Sequence, residues 1–246
     1  MSRREESESK GAELDSEAEA KRADRVARRT EGLQIAEHPD WLRLALNIRR
    51  QIAASVELDA DPERIRALAD RAGDLAEALE ASAPGKRVGL VESDWQERGG
   101  AMSYLPFSPI MGALNPASLG IEIRAEGAKA VAEMRLGEVV EGGTGLVHGG
   151  AIAAIYDEVL AAANILKQVG GPTGKLSIKY RKPTPLYDLL RFEGWVERIE
   201  GRKILTRGRC LVGDQVVTEA EALFIGFDLD PKASDWHLRE AAESDQ

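Results

Sequence analysis

The sequence has few of the residues from which metal and disulfide sites are built. Cys210 is its only cysteine, which excludes a disulfide framework within the chain and a zinc site made of cysteines. The three histidines, His38, His148 and His237, lie far apart and form no HExxH motif. The sequence therefore gives little support to a metal site, and we expect no metal or redox cofactor.

A concentrated stripe of basic residues is also absent. The chain has 33 Lys and Arg against 42 Asp and Glu, a formal net charge of −9. Nucleic-acid binders need clustered positive charge to neutralise phosphates. We therefore expect no nucleic-acid partner for this protein.

Long apolar runs are missing as well, and no stretch is long enough to span a bilayer. Residues 1–21 are dominated by charge, unlike a secretory signal segment. Residues 1–30 contain almost no large apolar side chain and are predicted to be disordered, because little burial would offset the entropy of ordering. Residues 228–246 are interpreted as a polar tail. The expectation is a cytoplasmic protein without a membrane partner.

Residues 31–84 are predicted to form a helical hairpin. Apolar residues recur at helical spacing over 39–58, and a second helix starts at Asp61 as N-cap with Pro62 in the first turn. The second helix keeps a nearly heptad rhythm until Pro84. Acids and bases alternate in both helices, which argues against a DNA-reading helix-turn-helix. An accessory packing or dimer-contact element is the favoured interpretation.

Residues 85–119 are rich in Gly and Pro and are predicted to be an irregular connection, whose apolar residues either line a pocket or pack the loop. Beyond it, alternating patterns predict six strands around one helix, at residues 120–125, 128–136, 175–186, 189–199, 203–212 and 215–227. Turn signals join them near Gly127, at Gly201 and at Gly213. Leu176, Ile178 and Tyr180 alternate with polar residues, which predicts that they share one buried face. The predicted fold class is α+β, with a curved antiparallel sheet wrapped around a long central helix.

The predicted central helix follows a glycine-rich loop. Residues 151–169 lack Pro and Gly, and Gly170-Gly171-Pro172 is a stop signal. Asp157 shares a helix face with Gly150, Ala153, Ala154, Ala161 and Asn164. Because small residues predominate on this face, its carboxylate is expected to be partly desolvated. On the helix pattern alone, however, a solvent-facing strip of an ordinary amphipathic helix is the favoured interpretation of Asp157-Glu158.

His148-Gly149-Gly150 opens this helix, an acid follows nine residues after the His, and Thr173 and a Tyr180-Arg181-Lys182-Pro183 block come later. This combination resembles the PaaI-like acyl-CoA thioesterases of the hotdog superfamily, over residues 120–227. The resemblance implies a hotdog fold and hydrolysis of an acyl-CoA to a free acid and CoA, with CoA as part of the substrate. It also implies active sites between subunits, hence a homodimer or a dimer of dimers.

The start of a helix presents unpaired backbone N–H groups and the positive end of its dipole, which suit a developing oxyanion. By the resemblance, the Gly149 N–H polarises the thioester carbonyl, Asp157 is nucleophile or general base, and Thr173 positions water. Gly150 permits close approach of the substrate, and His148 shapes the loop rather than acting as a base. Glu158 is the competing acid.

By the resemblance, five basic residues cluster near the CoA channel and are candidates for binding its phosphates, with solvated strand edges as the alternative interpretation: Lys179, Arg181, Lys182, Arg202 and Lys203. The loop 141–145 departs from several PaaI-type enzymes, because it has no Asn or Gln to point at the thioester. The main rival function is a non-catalytic acyl-CoA-binding or structural hotdog dimer. A hotdog hydratase would need an Asp/His pair in a hydratase-type motif, which the sequence does not offer.

Overall fold

The structure is a computed structural model, and it describes residues 39–83 and 107–226. The predicted disordered start, the polar tail, His38 and His237 lie outside the described residues. The described helices and strands are, in chain order, α1 (Pro39–Val56), α2 (Pro62–Ser82), β1 (Ile123–Glu126), β2 (Lys129–Met134), a 3-10 turn (Glu138–Val140), α3 (Gly149–Leu166), β3 (Thr173–Tyr180), β4 (Leu190–Glu200), β5 (Lys203–Val212) and β6 (Gln215–Ile225).

The described residues divide into two compact units, 39–43 with 58–83, and 44–57 with 107–226. In the first unit, α2 begins as predicted, because the Asp61 side chain accepts the Arg64 N–H at 2.9 Å and Pro62 is the first helical residue. In the second unit, the Arg49 guanidinium of α1 donates to the carbonyls of Gly112 and Asn115. Packing of the two helices as a hairpin stays a prediction.

A six-stranded antiparallel sheet forms the second unit, in the order β1-β2-β4-β5-β6-β3. The three predicted tight turns are confirmed at Gly127, Gly201 and Gly213, which have φ of 60°, 55° and 57°. These positive values favour glycine, because a Cβ is strained there. The strand β3 lies at one end of the sheet order, and β6 is its strand partner within the described residues.

The central helix α3 packs against the sheet, which confirms the predicted architecture. Its large side chains Ile155, Tyr156, Val159 and Leu160 are fully buried. The Tyr156 ring meets Phe192 edge-on at 5.0 Å between centroids, and its hydroxyl is hydrogen-bonded to Thr218. The expectation that no stretch is long enough to span a bilayer is wrong for α3, which alone among the described helices could cross one by length and composition. Its apolar side contacts the sheet.

The helix α3 ends at Leu166, three residues before the predicted end. Gln168 has a left-handed φ of 55°, and its N–H bonds the Ile165 carbonyl while the Val169 N–H bonds the Asn164 carbonyl. This backbone geometry closes the helix before the glycines are reached. The glycine stop signal therefore marked the correct region but not the last helical residue.

The strand predicted over 175–186 is also shorter, and β3 ends at Tyr180. The N–H groups of Arg181 and Lys182 both bond the Val217 carbonyl, so the ladder stops there. Pro183 and Pro185 follow and have no N–H to extend it. As a consequence, the 181–186 segment turns beside the start of α3, where the Val147 N–H bonds the Thr184 carbonyl at 2.9 Å.

Candidate active site

The first turn of α3 is capped by His148, as the sequence suggested for this residue. Its Nδ1 accepts the Gly150 N–H at 2.9 Å, and its backbone is extended, with φ −61° and ψ 134°. The Gly149 N–H has no acceptor among the described residues, which is the usual state of a first-turn N–H. The helix therefore starts with one capped donor and one open donor.

The loop before His148 is held by its own hydrogen bonds. The Glu141 carboxylate accepts the Gly145 N–H at 2.6 Å, and the Gly145 carbonyl accepts the Leu186 N–H. Gly145 has a φ of 72°, and a Cβ on Gly142 would lie 2.8 Å from the His148 Cα. Glycine is needed at position 142 for this close approach and at position 145 for its positive φ. The Glu141 side chain thus stabilises the conformation of this loop.

Asp157 and Thr173 come together across 16 residues of sequence. The Thr173 hydroxyl, at the start of β3, donates to Asp157 Oδ1 at 2.8 Å. One carboxylate oxygen of Asp157 is thereby oriented by a side-chain donor. Gly149, the third residue with a predicted catalytic role, lies eight residues earlier on α3, about 12 Å along the helix axis.

Asp157 is exposed in the single chain, so the expectation of partial desolvation is wrong for one isolated copy. The small residues Ala153, Ala154 and Ala161 on its side of α3 are half-buried. Asn164, predicted on the same face, points inward and is 1% exposed, with its Oδ1 accepting the Thr206 hydroxyl. The helix face that carries Asp157 is therefore exposed at Asp157 and buried at Asn164, two turns later.

Glu158 occupies a different environment from its neighbour. It is half-buried, and the hydroxyl of Ser108, itself 8% exposed, donates to its Oε1 at 2.6 Å. The Ser108 oxygen accepts the N–H groups of Ile110 and Met111. Burial raises the pKa of Glu158, the Ser108 hydrogen bond opposes that rise, and the Asp157 charge adds to it. Glu158 thus ties the preceding segment to α3.

Tyr180, at the end of β3, reaches the start of α3. Its hydroxyl donates to the Gly149 carbonyl at 2.8 Å, and the residue is 54% exposed rather than buried with Leu176 and Ile178 as the strand alternation predicted. The sequence contained the Tyr180-Arg181-Lys182-Pro183 block as a signal, but nothing local in it shows that the hydroxyl meets a helix terminus. Ser108 was likewise missed, because its partner lies 50 residues away.

A surface pocket of about 340 Å³ opens beside Gly149. Apolar side chains form part of it, and two basic residues and two hydroxyl-bearing residues form the rest. The lining residues are Leu146, Val147, Gly149, Ile152, Tyr180, Arg181, Lys182, Pro183 and Thr184. A lining that contains both apolar and cationic residues suits an amphipathic, anionic ligand.

The five basic residues predicted to serve CoA do not form one cluster within a chain. Lys179, Arg181 and Lys182 lie at the Tyr180 end of β3, and Arg181 is ion-paired with Glu219. Arg202 and Lys203 lie beside the end of β6, which pairs with the opposite end of β3. Lys179 lies six residues from Thr173, so the two groups are about 20 Å apart along the strand direction. The prediction of one cluster is wrong for a single copy, because it ignored the strand's length.

Within residues 39–83 and 107–226, no group of three or more His, Cys, Asp or Glu side chains could hold a metal ion. The described site therefore consists of a helix terminus, a carboxylate with a hydroxyl donor, and a pocket with basic residues at its rim.

Residues 144–219 match the thioesterase superfamily. The chain is 37% identical over 91 residues to acyl-coenzyme A thioesterase THEM4 of Xenopus laevis, covering 36% of this chain and 41% of that protein. It is 38% identical over 91 residues to acyl-coenzyme A thioesterase THEM4 of Mus musculus, covering 36% of this chain and 39% of that protein. The chain thus spans about two fifths of the length of these curated relatives.

A crystal structure of a thioesterase superfamily protein is similar to this chain, with a TM-score of 0.65 and 28% sequence identity. The similarity covers 75% of this chain and 90% of that one. This structural similarity agrees with the fold described above, a curved antiparallel sheet packed on one long helix. Over residues 144–219 this chain is therefore similar to the thioesterase superfamily, and its fold is the hotdog fold.

Proposed function

We propose that this protein is an acyl-CoA thioesterase of the PaaI-like kind, which hydrolyses an acyl-CoA to a free carboxylic acid and CoA. The observation that carries the proposal is the Asp157 carboxylate, oriented by the Thr173 hydroxyl at 2.8 Å, on the helix that opens with the Gly149 N–H. The names of the THEM4 relatives support the acyl-CoA substrate, although the match spans about two fifths of their length.

Gly149 is the proposed oxyanion donor. Its N–H has no acceptor among the described residues and lies at the positive end of α3. As the thioester carbonyl becomes tetrahedral, its oxygen gains negative charge that this N–H stabilises. Removing one such donor typically lowers the rate by about 10²- to 10³-fold.

Asp157 is the proposed nucleophile or general base. As a base it takes a proton from water, the resulting hydroxide adds to the thioester carbon, and the carbon–sulfur bond breaks to release CoA as a thiolate. As a nucleophile it adds to the thioester carbon and displaces CoA as a thiolate, and water then hydrolyses the resulting mixed anhydride to the free acid and the Asp157 carboxylate. In both routes the Thr173 hydroxyl occupies Oδ1 and leaves the other carboxylate oxygen for the reaction.

The distance between these groups supports a homodimer with shared sites. Gly149 and Asp157 are eight residues apart on one helix, about 12 Å along its axis, too far to act on one thioester carbon. The edge strand β3 carries Thr173 at one end and Tyr180, bonded to Gly149, at the other. Antiparallel pairing of two β3 edges would bring Asp157 of each copy towards Gly149 of the other.

The pocket beside Gly149 is the proposed binding site for part of the CoA moiety. Lys182 is exposed at its rim, whereas Arg181 is already ion-paired with Glu219. Lys182 and Lys179 are therefore the better candidates for phosphate binding in this group. In the proposed dimer, Arg202 and Lys203 of one copy would approach the β3 end of the other that carries Lys179.

The test is release of free thiol from a panel of short-chain, long-chain and aromatic acyl-CoAs, comparing the wild type with Asp157→Asn. Asp74→Asn is the matched control, because Asp74 is exposed on α2, in the compact unit that does not contain the site. Turnover by the wild type and the control, but not by Asp157→Asn, would support the proposal. If the wild type binds acyl-CoA and releases no thiol from any of them, the acyl-CoA-binding dimer replaces the enzyme.

A further inference from the structure

Tyr180 makes the side-chain contact nearest to the proposed oxyanion donor from outside the helix. Its hydroxyl donates to the Gly149 carbonyl at 2.8 Å. A Cβ on Gly149 would lie 3.3 Å from that hydroxyl oxygen and 3.4 Å from the ring carbon that bears it. The phenol therefore rests directly on residue 149.

Packing in the hydrophobic core does not account for the position of the Tyr180 ring. Leu176 and Ile178 share its side of β3 and are half-buried, whereas Tyr180 is 54% exposed. The ring leaves the core side of the strand to deliver its hydroxyl to the start of α3. Tyrosine suits such a contact, because it joins a rigid ring to one polar tip.

The helix start needs such support, because Gly149 and Gly150 are the residues with the greatest backbone freedom. Two side chains hold them from opposite directions. His148 Nδ1 accepts the Gly150 N–H at 2.9 Å, and the Tyr180 hydroxyl donates to the Gly149 carbonyl. Both bonds fix the orientation of the peptide between the two glycines, and with it the backbone of residue 149.

We propose that Tyr180 is a positioning residue that holds the first turn of α3 so that the Gly149 N–H is pre-oriented towards the thioester oxygen. This inference rests on the proposed thioesterase function. An oxyanion donor acts through pre-orientation, since reorganising it during the reaction would cost free energy. Tyr180 also lines the pocket beside Gly149, so its hydroxyl lies where the substrate is expected to enter.

The test is Tyr180→Phe, which keeps the ring and removes the hydroxyl. A donor that acts in the transition state affects kcat rather than KM. We expect kcat for the best acyl-CoA to fall about tenfold with KM changed less than about twofold, a fraction of the loss typical for removing the donor itself. Tyr187→Phe is the control, because Tyr187 is 52% exposed and its hydroxyl has no partner among the described residues. It should leave kcat unchanged.

A second readout does not depend on activity. Hydrogen–deuterium exchange over residues 146–152 should be faster in Tyr180→Phe and unchanged in Tyr187→Phe, since local opening exposes first-turn amides. Unchanged exchange and unchanged kcat would overturn the proposal. A raised KM with unchanged kcat would overturn it too, because Tyr180 would then bind substrate. If the wild type hydrolyses no thioester, the proposed function fails, while the exchange difference still decides whether Tyr180 holds the turn.

Discussion

Two neighbouring acids on α3 have similar partners and opposite surroundings. Asp157 and Glu158 each accept a hydroxyl hydrogen, from Thr173 at 2.8 Å and from Ser108 at 2.6 Å. Asp157 is exposed, whereas Glu158 is half-buried and burial raises its pKa. A successive residue on a helix turns by about 100°, which is enough to move a carboxylate from the solvent side to the packed side.

The two acid–hydroxyl pairs, Asp157 with Thr173 and Glu158 with Ser108, are chemically similar but have different roles in our proposal. The exposed pair can meet a substrate, while the half-buried pair connects the segment around Ser108 to the helix. Environment, more than residue type, separates acids with different functions. This contrast supports the proposal that Asp157 takes part in the reaction, whereas Glu158 stabilises the structure.

Replacing each acid by its amide, one at a time, should give the largest difference in kcat between two variants. Asp157→Asn removes the proposed base or nucleophile and should lower kcat by about 10³-fold. Glu158→Gln keeps an oxygen that accepts the Ser108 hydroxyl, so kcat should stay within about threefold. Thiol release measured at matched folding checks both values. Equal losses in the two variants would remove the distinction between the acids.

Removing the hydroxyl partners should separate rate from stability. Thr173→Val loses the donor to Asp157, and we expect kcat to fall about tenfold with little change in stability. Ser108→Ala leaves two N–H groups and Glu158 without their partner, at a cost of about 1 to 2 kcal/mol in the free energy of unfolding.

Ser82→Ala is the control for both, because Ser82 is exposed at the end of α2, in the compact unit without the site, and its hydroxyl donates to the Ala78 carbonyl of the same helix. Denaturant unfolding and steady-state kinetics on the same preparations give the two readouts. A large kinetic loss in Ser108→Ala at unchanged stability would contradict the assignment.

The smallest expected effect is a pH-dependent gain in the stability of the Glu158→Gln variant. Because the folded-state pKa of Glu158 is raised, its contribution to stability is full below its usual pKa of about 4.3 and is lost as pH rises through the raised value. Glu158→Gln should therefore be more stable than the wild type near neutral pH, by about 0.5 kcal/mol or 1 to 2 °C. Melting curves should coincide near pH 4. If the stability advantage of Glu158→Gln over the wild type grew towards acidic pH, the result would contradict the raised pKa of Glu158.

The fold was predictable because its signals are local. Turn glycines at 127, 201 and 213 have the positive φ that tight hairpins require, and they fall where the sequence placed the turns. Asp61 and Pro62 likewise start α2 at the predicted residues. Caps and turns depend on a few neighbouring residues, so their patterns are visible in one sequence.

The site was only partly predictable, because its contacts join distant segments. The spacing and the resemblance selected Asp157 and Thr173, which the fold brings to hydrogen-bonding distance. The Ser108–Glu158 and Tyr180–Gly149 contacts span 50 and 31 residues, and no local pattern encodes them. The five basic residues were grouped by type, whereas their positions at opposite ends of β3 follow from sheet register.

A site shared between two copies can be tested by mixing two inactive variants. Gly149→Pro removes the proposed donor N–H, and proline is tolerated at a first helical position after the extended backbone of His148. Asp157→Asn removes the carboxylate. Each variant alone should be nearly inactive in thiol release, and each should form dimers with the other when both are co-expressed with different affinity tags.

In the mixed dimer, a shared site would contain Gly149 from one copy and Asp157 from the other, both intact. Random pairing would then restore about a quarter of wild-type thiol release, and the purified mixed dimer about half. No recovery in a purified, folded mixed dimer would contradict a site built from Gly149 of one copy and Asp157 of its partner.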